Sequence, residues 1–202
     1  VEKEHQRKKL LLFLRVGLLL PRERQEKDEI KLVLKKFKKR LKKKHEVDAA
    51  VLRLEADPTG KGVSRADVII EAVVEKLEVK QAIFGGLEDK LKPGAILATN
   101  TSSIELERIA EVLKDPARLI GLHFFNPVAQ LPLVEVIRST FNSDAEIGKG
   151  AAFALAIGKS PVVVKSAPGF LVNRVLMPYM LGAVERVERG ESRELLDAAA
   201  VA

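Results

Sequence analysis

The sequence predicts an α/β protein with a mainly parallel sheet, followed by a helical unit. From about residue 67 to residue 164, short β-branched or apolar runs alternate with segments of helical periodicity, as in sheets whose parallel strands are joined by helices. After Ala167-Pro168-Gly169 the pattern is helical alone. We therefore expect three segments: an unassigned apolar and basic stretch at 1–24, an α/β unit at 25–167 and the start of a helical domain at 168–202.

The first candidate elements lie in the N-terminal part of the chain. The stretch KLLLFLRVGLLLP at 9–21 is too short to span a bilayer, is interrupted by Arg15 and is followed by no small-residue cleavage motif. A buried strand or an interaction segment is therefore expected there, and not a membrane helix or a signal peptide. Apolar residues at helical spacing among lysines predict a basic amphipathic helix over 30–41. The Asp, Pro and Gly content of 55–67 predicts a loop.

Five strands are predicted beyond that loop. The run DVIIEAVVE at 67–75 lacks strict alternation, as is typical of a strand that is covered on both faces. The other runs are short, apolar and separated by turn-forming or helical segments. They lie at 95–100, 118–125, 131–137 and 161–164.

Helices are predicted at 76–92, 103–113, 143–159 and 170–190. The first has apolar residues spaced by four, at Val79, Ile83, Leu87 and Leu91. The third begins with a capping-box pattern, Ser143 with Glu146, and ends at Gly158 as a C-cap would. The fourth contains Pro178, where we expect a bend.

The charge of this chain is unevenly distributed. Residues 1–45 hold 17 Lys and Arg against 6 Asp and Glu, whereas the other residues hold 18 against 22, so the basic character behind the net charge of +7 belongs to the first part. A solvated basic helix face is favoured over a nucleic-acid site. The absence of cysteine excludes disulfides, zinc–thiolate sites and thiol nucleophiles, and it is compatible with a reducing compartment. No metal site is predicted.

A histidine and a glutamate stand in two neighbouring apolar strands. His123 lies in GLHFFNP and Glu135 lies in LVEVI, twelve residues later. A carboxylate in an apolar strand is costly without a partner. If the strands are adjacent, Glu135 can orient the imidazole and stabilise its protonated form, so that His123 acts as a base. A buried structural Glu–His pair remains the alternative.

Two further polar residues have both a structural and a functional interpretation. Ser102 and Glu105 form a capping-box pattern at the start of a helix, yet Ser102 also follows a strand, where ligands bind in open α/β sheets. Asn173 lies in the first turn of the last helix. It is either a surface amide or a hydrogen-bond donor aimed at a ligand, and the sequence alone favours the surface role.

A glycine-rich loop that would cradle a dinucleotide is not recognisable. Such a loop has the pattern G-x-G-x-x-G between the first strand and the first helix. GKGVSR at 60–65 begins G-x-G, but it lacks the third glycine and leads into a strand. We therefore predict an ordinary loop at this position.

Five motifs in order resemble the 3-hydroxyacyl-CoA dehydrogenase family, in particular the dehydrogenase part of multifunctional fatty-acid β-oxidation proteins. They are ADVIIEAVVEKLEVKQAIF, ILATNTSSIELERIA, LIGLHFFNPVAQLPLVEVIRS, GKSPVVV and APGFLVNRVLMPY, and the resemblance extends from about residue 26 to about residue 195. It implies a Rossmann-type doubly wound sheet, incomplete at its start, followed by the beginning of an all-helical C-terminal domain. The implied activity is NAD-dependent oxidation of the 3-hydroxyl of an acyl-CoA.

The resemblance also implies roles for particular residues. His123 would be the general base, Glu135 its orienting carboxylate, and Ser102 and Asn173 the groups that bind the substrate oxygen. The positions around the NAD ribose and nicotinamide would be Val73, Val74, Glu75, Lys80, Asn100 and Asn126.

The departures from the family pattern keep a second interpretation open. The family's first strand, its glycine loop and the acidic residue that binds the adenosine ribose are not recognisable, so a truncated, non-catalytic binding or assembly module of the same fold is the alternative. As partners we expect an acyl-CoA substrate, and either a homo-oligomer or a multifunctional β-oxidation complex. We expect no nucleic acid, no integral membrane association and a cytoplasmic location.

Overall fold

The computed structural model describes residues 13–15, 35, 43–52, 57 and 60–201. In this part of the chain, six strands form one sheet in the order β1 to β6. The strands β4 and β5 are antiparallel, and every other neighbouring pair is parallel. The strands are β1 (Phe13–Arg15), β2 (Val68–Glu71), β3 (Ile96–Thr99), β4 (Leu119–Phe124), β5 (Leu133–Arg138) and β6 (Ser160–Lys165).

Six α-helices lie in the same described ranges. They are α1 (Lys44–Val51), α2 (Leu77–Leu87), α3 (Leu106–Ala110), α4 (Asp144–Ala156), α5 (Val172–Glu188) and α6 (Arg193–Ala200). Pro178 lies inside α5. Among the described residues, no helix combines the length and the apolar character needed to cross a lipid bilayer.

The strand β1 is the first in the order of the described strands and lies parallel to β2, with Phe13 opposite Ile69. The strand expected within 9–21 is therefore confirmed for residues 13–15. A strand therefore pairs with β2 from the part of the chain where the family's first strand was not recognisable in the sequence. The basic helix predicted at 30–41 lies outside the described residues, apart from residue 35.

The core has two layers, one on each face of the sheet. Along β2, Val68 and Ile70 pack with α4 on one face, whereas Ile69 packs with α2 and α3 on the other, as the two-residue period of a strand requires. Helices on both faces confirm the predicted α/β fold with a doubly wound sheet of Rossmann type.

Most predicted elements are present, but three differ from the sequence pattern. The strand predicted at 67–75 ends at Glu71, because the Glu71 carboxylate accepts the N–H of Val73 and the chain turns there. The buried positions of α2 are Lys80 and Phe84, not the row through Val79 and Ile83. The helix predicted at 103–113 is only α3, which begins at Leu106.

The loop and cap predictions agree better with the structure. The N–H groups of Lys61 and Gly62 donate to the Asp57 carboxylate, in agreement with the predicted loop, whereas Val63–Arg65 form a short 3₁₀-helix before β2. Ser143 is the N-cap residue of α4, although its hydroxyl bonds the Glu146 side chain and not a backbone N–H. Gly158 follows the helix with φ +76°, as a helix-ending glycine does.

Two glycines of α4 provide a matched test of the packing. A Cβ at Gly150 would lie 2.5 Å from Ile120 Cδ1 and 3.3 Å from Val136 Cγ1, whereas a Cβ at Gly148 would meet nothing within 4 Å. Both substitutions to alanine gain helix propensity, so that term cancels between them. We expect Gly150→Ala to be less stable than Gly148→Ala by about 1–3 kcal/mol in urea unfolding, because of overpacking. Equal stabilities would contradict the close contact of α4 with β4 and β5.

Candidate active site

Polar side chains gather where the parallel strands end. Strands β2, β3 and β4 run in the same direction, so Glu71, Thr99 and His123 lie close to one edge of the sheet. Strand β5 runs the other way and brings Glu135 to the position opposite His123. In open α/β sheets, ligands bind at the carboxyl ends of the parallel strands, which is where these side chains lie.

The histidine and the glutamate are in contact across β4 and β5. The distance between His123 Nδ1 and Glu135 Oε2 is 2.8 Å, and the side chains are 8% and 0% exposed. A carboxylate only accepts hydrogen bonds, so Nδ1 carries the hydrogen, and in the neutral imidazole Nε2 then has the lone pair. The carboxylate thus fixes the orientation of the imidazole.

The second oxygen of Glu135 is bound by the start of α5. The N–H groups of Leu171 and Val172 both donate to Oε1 at 2.9 Å. The two preceding residues, Gly169 and Phe170, have φ values of 75° and 49°, and this left-handed turn leads directly into those two amides. Amides at the start of a helix favour an anionic acceptor, so the carboxylate is held from both sides.

Aromatic rings enclose the imidazole. The ring centroid of Phe125 lies 4.5 Å from that of His123, and the ring centroid of Phe170 lies 5.8 Å away, both tilted. Phe170 is buried. These rings restrict the rotation of the imidazole and limit the access of water to it.

Ser102 is not a helix cap, and the capping-box prediction for Ser102 and Glu105 is wrong. The helix α3 begins at Leu106, after Glu105 at the N-cap position, and Glu105 makes no side-chain cap bond. The Ser102 N–H donates instead to Glu75 Oε1 at 2.8 Å. A charged acceptor brought in from another part of the chain forms the stronger bond, so the local cap does not form.

The Asn173 side chain is hydrogen-bonded to the segment that contains Ser102. Its Nδ2 donates to the backbone oxygen of Ser102 at 3.2 Å, and the residue is partly buried. The prediction of a plain surface amide is therefore wrong. The bond links the first turn of α5 to the segment that follows β3.

Glu75 is the acceptor that holds the 101–103 loop. Its Oε1 accepts from the Thr101 hydroxyl and from the N–H groups of Ser102 and Ser103. Burial by itself raises the pKa of Glu75, but the Thr101 hydroxyl, the Ser102 amide and the Lys80 ammonium outweigh it and lower the pKa to about 2. The side chain therefore remains an ionised acceptor at neutral pH.

This depressed pKa predicts a pH dependence of stability. Because the folded pKa of about 2 lies below the usual 4.5, the contribution of Glu75 is complete above the unfolded pKa and is lost as the pH falls toward 2. We expect the difference in unfolding free energy between the wild type and Glu75→Gln to narrow from pH 5 to pH 2. Urea unfolding at each pH measures it, and a constant difference would contradict the assignment.

Lys80 lies beneath Glu75 and bridges two carboxylates. Its Nζ is 2.8 Å from Glu71 Oε1 and 3.2 Å from Glu75 Oε2, and the side chain is 1% exposed. The Thr99 hydroxyl also donates to Glu71, at 2.6 Å. Sequence reasoning missed Glu71, Thr99 and Thr101. The signal that singled out Glu135, a carboxylate within an apolar strand, was equally present for Glu71.

The other predicted cofactor residues lie along the same edge. The Asn100 side-chain oxygen accepts the N–H of Phe124 at 2.8 Å, which ties the end of β3 to the end of β4. Val73 is partly buried and Val74 is 47% exposed. Asn126 is exposed and precedes Pro127 through a cis peptide bond.

An open sheet with helices on both faces, and with ionisable groups at its carboxyl edge, defines a Rossmann-type nucleotide-binding domain. The chain belongs to the 3-hydroxyacyl-CoA dehydrogenase family, since residues 21–167 match the model of that family's NAD-binding domain. The resemblance noted in the sequence is thereby confirmed, and NAD is the cofactor that this domain indicates.

Known proteins of this kind are similar to the chain. The fatty acid oxidation complex subunit alpha of Pseudomonas putida is 48% identical over 127 residues, which are 63% of this chain and 18% of that protein. M. tuberculosis FadB2 has a TM-score of 0.86 and 36% identity, covering 90% of this chain and 66% of that one. The 3-hydroxybutyryl-CoA dehydrogenase of Escherichia coli K12 has a TM-score of 0.74 and 37% identity, covering 82% of this chain and 35% of that one. The chain thus spans about a fifth of the curated relative.

The described residues suit the ribose and nicotinamide side of such a cofactor. Glu75 stays ionised at neutral pH because its pKa is about 2, and its Oε2, which lies 3.2 Å from the Lys80 ammonium, has a second lone pair that a ribose hydroxyl can use. Val74 presents an exposed apolar surface beside it, which suits a planar ring. An ionised acceptor next to an exposed apolar side chain therefore fits the NAD that the family's domain binds.

Proposed function

We propose that this chain is the NAD-binding, catalytic part of a 3-hydroxyacyl-CoA dehydrogenase, which oxidises the 3-hydroxyl of a 3-hydroxyacyl-CoA to the 3-ketone. The observation that carries the proposal is the His123–Glu135 pair, held by the start of α5. The same helix bonds Ser102 through Asn173. The four residues expected to act in catalysis are thus linked to one another through the start of α5.

His123 is the proposed base. With Nδ1–H directed at Glu135, Nε2 has the lone pair that takes the proton from the substrate hydroxyl. The imidazolium that results is stabilised by the buried carboxylate, which stays in place because two amides hold its other oxygen. A bound NAD would supply the acceptor for the hydride that leaves the carbon carrying this hydroxyl.

Ser102 and Asn173 are the proposed groups that bind the reacting oxygen. The Asn173 amide has two hydrogens, of which the bond to the Ser102 carbonyl uses one, and we assign the other to the substrate oxygen. The Ser102 Oγ lies 3.3 Å from Glu75, a long contact that the hydroxyl can exchange for one with the substrate. Preorganised donors of this kind stabilise charge that develops on oxygen.

The cofactor side of the site is assigned to the residues after β2, β3 and β4. Glu75 would accept from a ribose hydroxyl, and Val74 would lie against the nicotinamide. Lys80 is nearly fully buried, so we expect it to act on the cofactor through Glu75. The full set proposed around NAD is Val73, Val74, Glu75, Lys80, Asn100 and Asn126.

The names of two relatives support proposals for the substrate and the assembly. One is named as a subunit of a fatty acid oxidation complex and another as a 3-hydroxybutyryl-CoA dehydrogenase. We infer an acyl-CoA substrate for this chain, membership of a homo-oligomer or a multifunctional β-oxidation complex, and a cytoplasmic location.

The activity is tested by NADH formation from 3-hydroxybutyryl-CoA and NAD, with the full-length protein that contains this sequence. We expect absorbance at the NADH wavelength to rise in proportion to enzyme, and free 3-hydroxybutyrate without CoA to react far more slowly. Absence of NADH from a folded protein would refute the proposal and favour the alternative of a non-catalytic binding module.

A further inference from the structure

A second buried carboxylate lies behind the site. Glu71, the last residue of β2, has a side chain that is 1% exposed. Its carboxylate accepts from the Val73 N–H at 2.6 Å, the Thr99 hydroxyl at 2.6 Å and the Lys80 ammonium at 2.8 Å and 3.0 Å. A buried carboxylate requires such partners. Because three donor groups bind it at once, the Glu71 side chain is held in one position.

Lys80 carries the effect of Glu71 toward the site. Its Nζ also lies 3.2 Å from Glu75 Oε2, so one ammonium is shared between two carboxylates. The position of Lys80 along the line between them depends on both charges. A change at Glu71 therefore alters how strongly Lys80 attracts Glu75.

Glu75 passes the effect on to the 101–103 loop. Its other oxygen lies within hydrogen-bond distance of five donors of this loop, closest to the Thr101 hydroxyl and the Ser102 N–H, with the Ser103 N–H and the hydroxyls of Ser102 and Ser103 at 3.2–3.3 Å. The carboxylate thus sets the place of Ser102. Displacement of Glu75 toward Lys80 would lengthen all of these bonds together.

We propose that Glu71 is a positioning residue, which holds Ser102 in its working geometry through Lys80, Glu75 and the 101–103 loop. The inference rests on the proposed function for the role of Ser102. In Glu71→Gln the side-chain shape is kept, but the negative charge opposite Lys80 is lost. Lys80 is then attracted by Glu75 alone, and Glu75 is drawn away from the loop.

Hydrogen exchange of the backbone amides tests the positional part without any assay of activity. In Glu71→Gln we expect the Ser102 and Ser103 amides to exchange at least about tenfold faster than in the wild type. The matched control is Glu88→Gln, since Glu88 is also buried and accepts the N–H groups of Lys114 and Asp115. This control should change those two amides and leave Ser102 and Ser103 as they were. Unchanged exchange at the loop in Glu71→Gln would overturn the proposal.

A double-mutant cycle tests the catalytic part. We expect Glu71→Gln to lower kcat by about tenfold in the wild type and by less than about threefold in Ser102→Ala, because its effect passes through Ser102. Glu88→Gln should have the same small effect in both backgrounds. If Glu71→Gln does not fold, Glu71→Asp goes through the same two measurements, and the same changes are expected to a smaller extent, because the shorter side chain withdraws its charge from Lys80.

The outcomes separate this inference from the proposed function. Equal losses of kcat in both backgrounds, for the variant that folds, would overturn the role of Glu71 while the dehydrogenase assignment stands. A wild type that forms no NADH would refute the assignment, and the exchange rates of Ser102 and Ser103 would still decide whether Glu71 fixes the loop.

Discussion

Replacing His123 with glutamine is expected to lower kcat for NADH formation from 3-hydroxybutyryl-CoA by on the order of 10²- to 10⁴-fold. Glutamine still offers a donor to the Glu135 carboxylate, but it has no group that takes up a proton at neutral pH. Because substrate binding does not depend on proton transfer, KM should change much less than kcat. Steady-state kinetics of the full-length protein measure both constants.

The control for this prediction is the exposed histidine of α1. His45→Gln also removes one imidazole, from a helix that carries none of the catalytic side chains, so its kinetics should equal those of the wild type. An equal kcat for His123→Gln and His45→Gln would leave the His123–Glu135 contact a structural pair, and the base would have to be sought elsewhere.

Glu135→Gln is expected to lower kcat to a similar extent, by a different route. The glutamine oxygen can keep the two amides of Leu171 and Val172, which now bind Glu135 Oε1. The glutamine NH₂ then faces His123 Nδ1, and a donor at that place requires Nδ1 to be the acceptor. The hydrogen moves to Nε2, so the imidazole is held in the wrong tautomer and takes no proton from the substrate.

The stability of two variants distinguishes this tautomer effect from simple unfolding. Glu135→Gln keeps a partner for each donor, whereas Glu135→Ala leaves the Leu171 and Val172 amides and the imidazole without one. We expect Glu135→Ala to lose about 3–5 kcal/mol in urea unfolding, and Glu135→Gln to lose clearly less. A Glu135→Gln protein that is folded and retains the wild-type kcat would contradict the proposed orientation of His123.

Local pattern was sufficient to predict most of the fold. Strands β3 to β6 lie within a residue or two of the expected ranges, because each is a short apolar run bounded by turn-forming residues. Helix α4 begins after Ser143 and ends before Gly158, since capping depends on residues only a few positions apart. The pairing of His123 with Glu135 was also predictable, because a short loop between two strands brings them side by side.

Three sets of contacts in the site could not be predicted from residues that are close together in the sequence. Ser102 has the spacing of a helix cap, yet its partner is Glu75, which lies 27 residues before it in the chain. The two amides that hold Glu135 come from residues 36 and 37 positions later. Glu71 and Lys80 meet only because α2 packs on the sheet with Lys80 turned inward.

The sequence by itself therefore determined the α/β class, most strand positions and the His123–Glu135 pair, since these follow from neighbouring residues and from the cost of placing a carboxylate in an apolar strand. Only the tertiary structure decided which strand β1 pairs with, which acceptor the Ser102 N–H binds and which donors bind the carboxylates of Glu135 and Glu75. Those contacts join distant parts of the chain. Carboxylates form their strongest hydrogen bonds with donors that come close only when the sheet and helices have assembled.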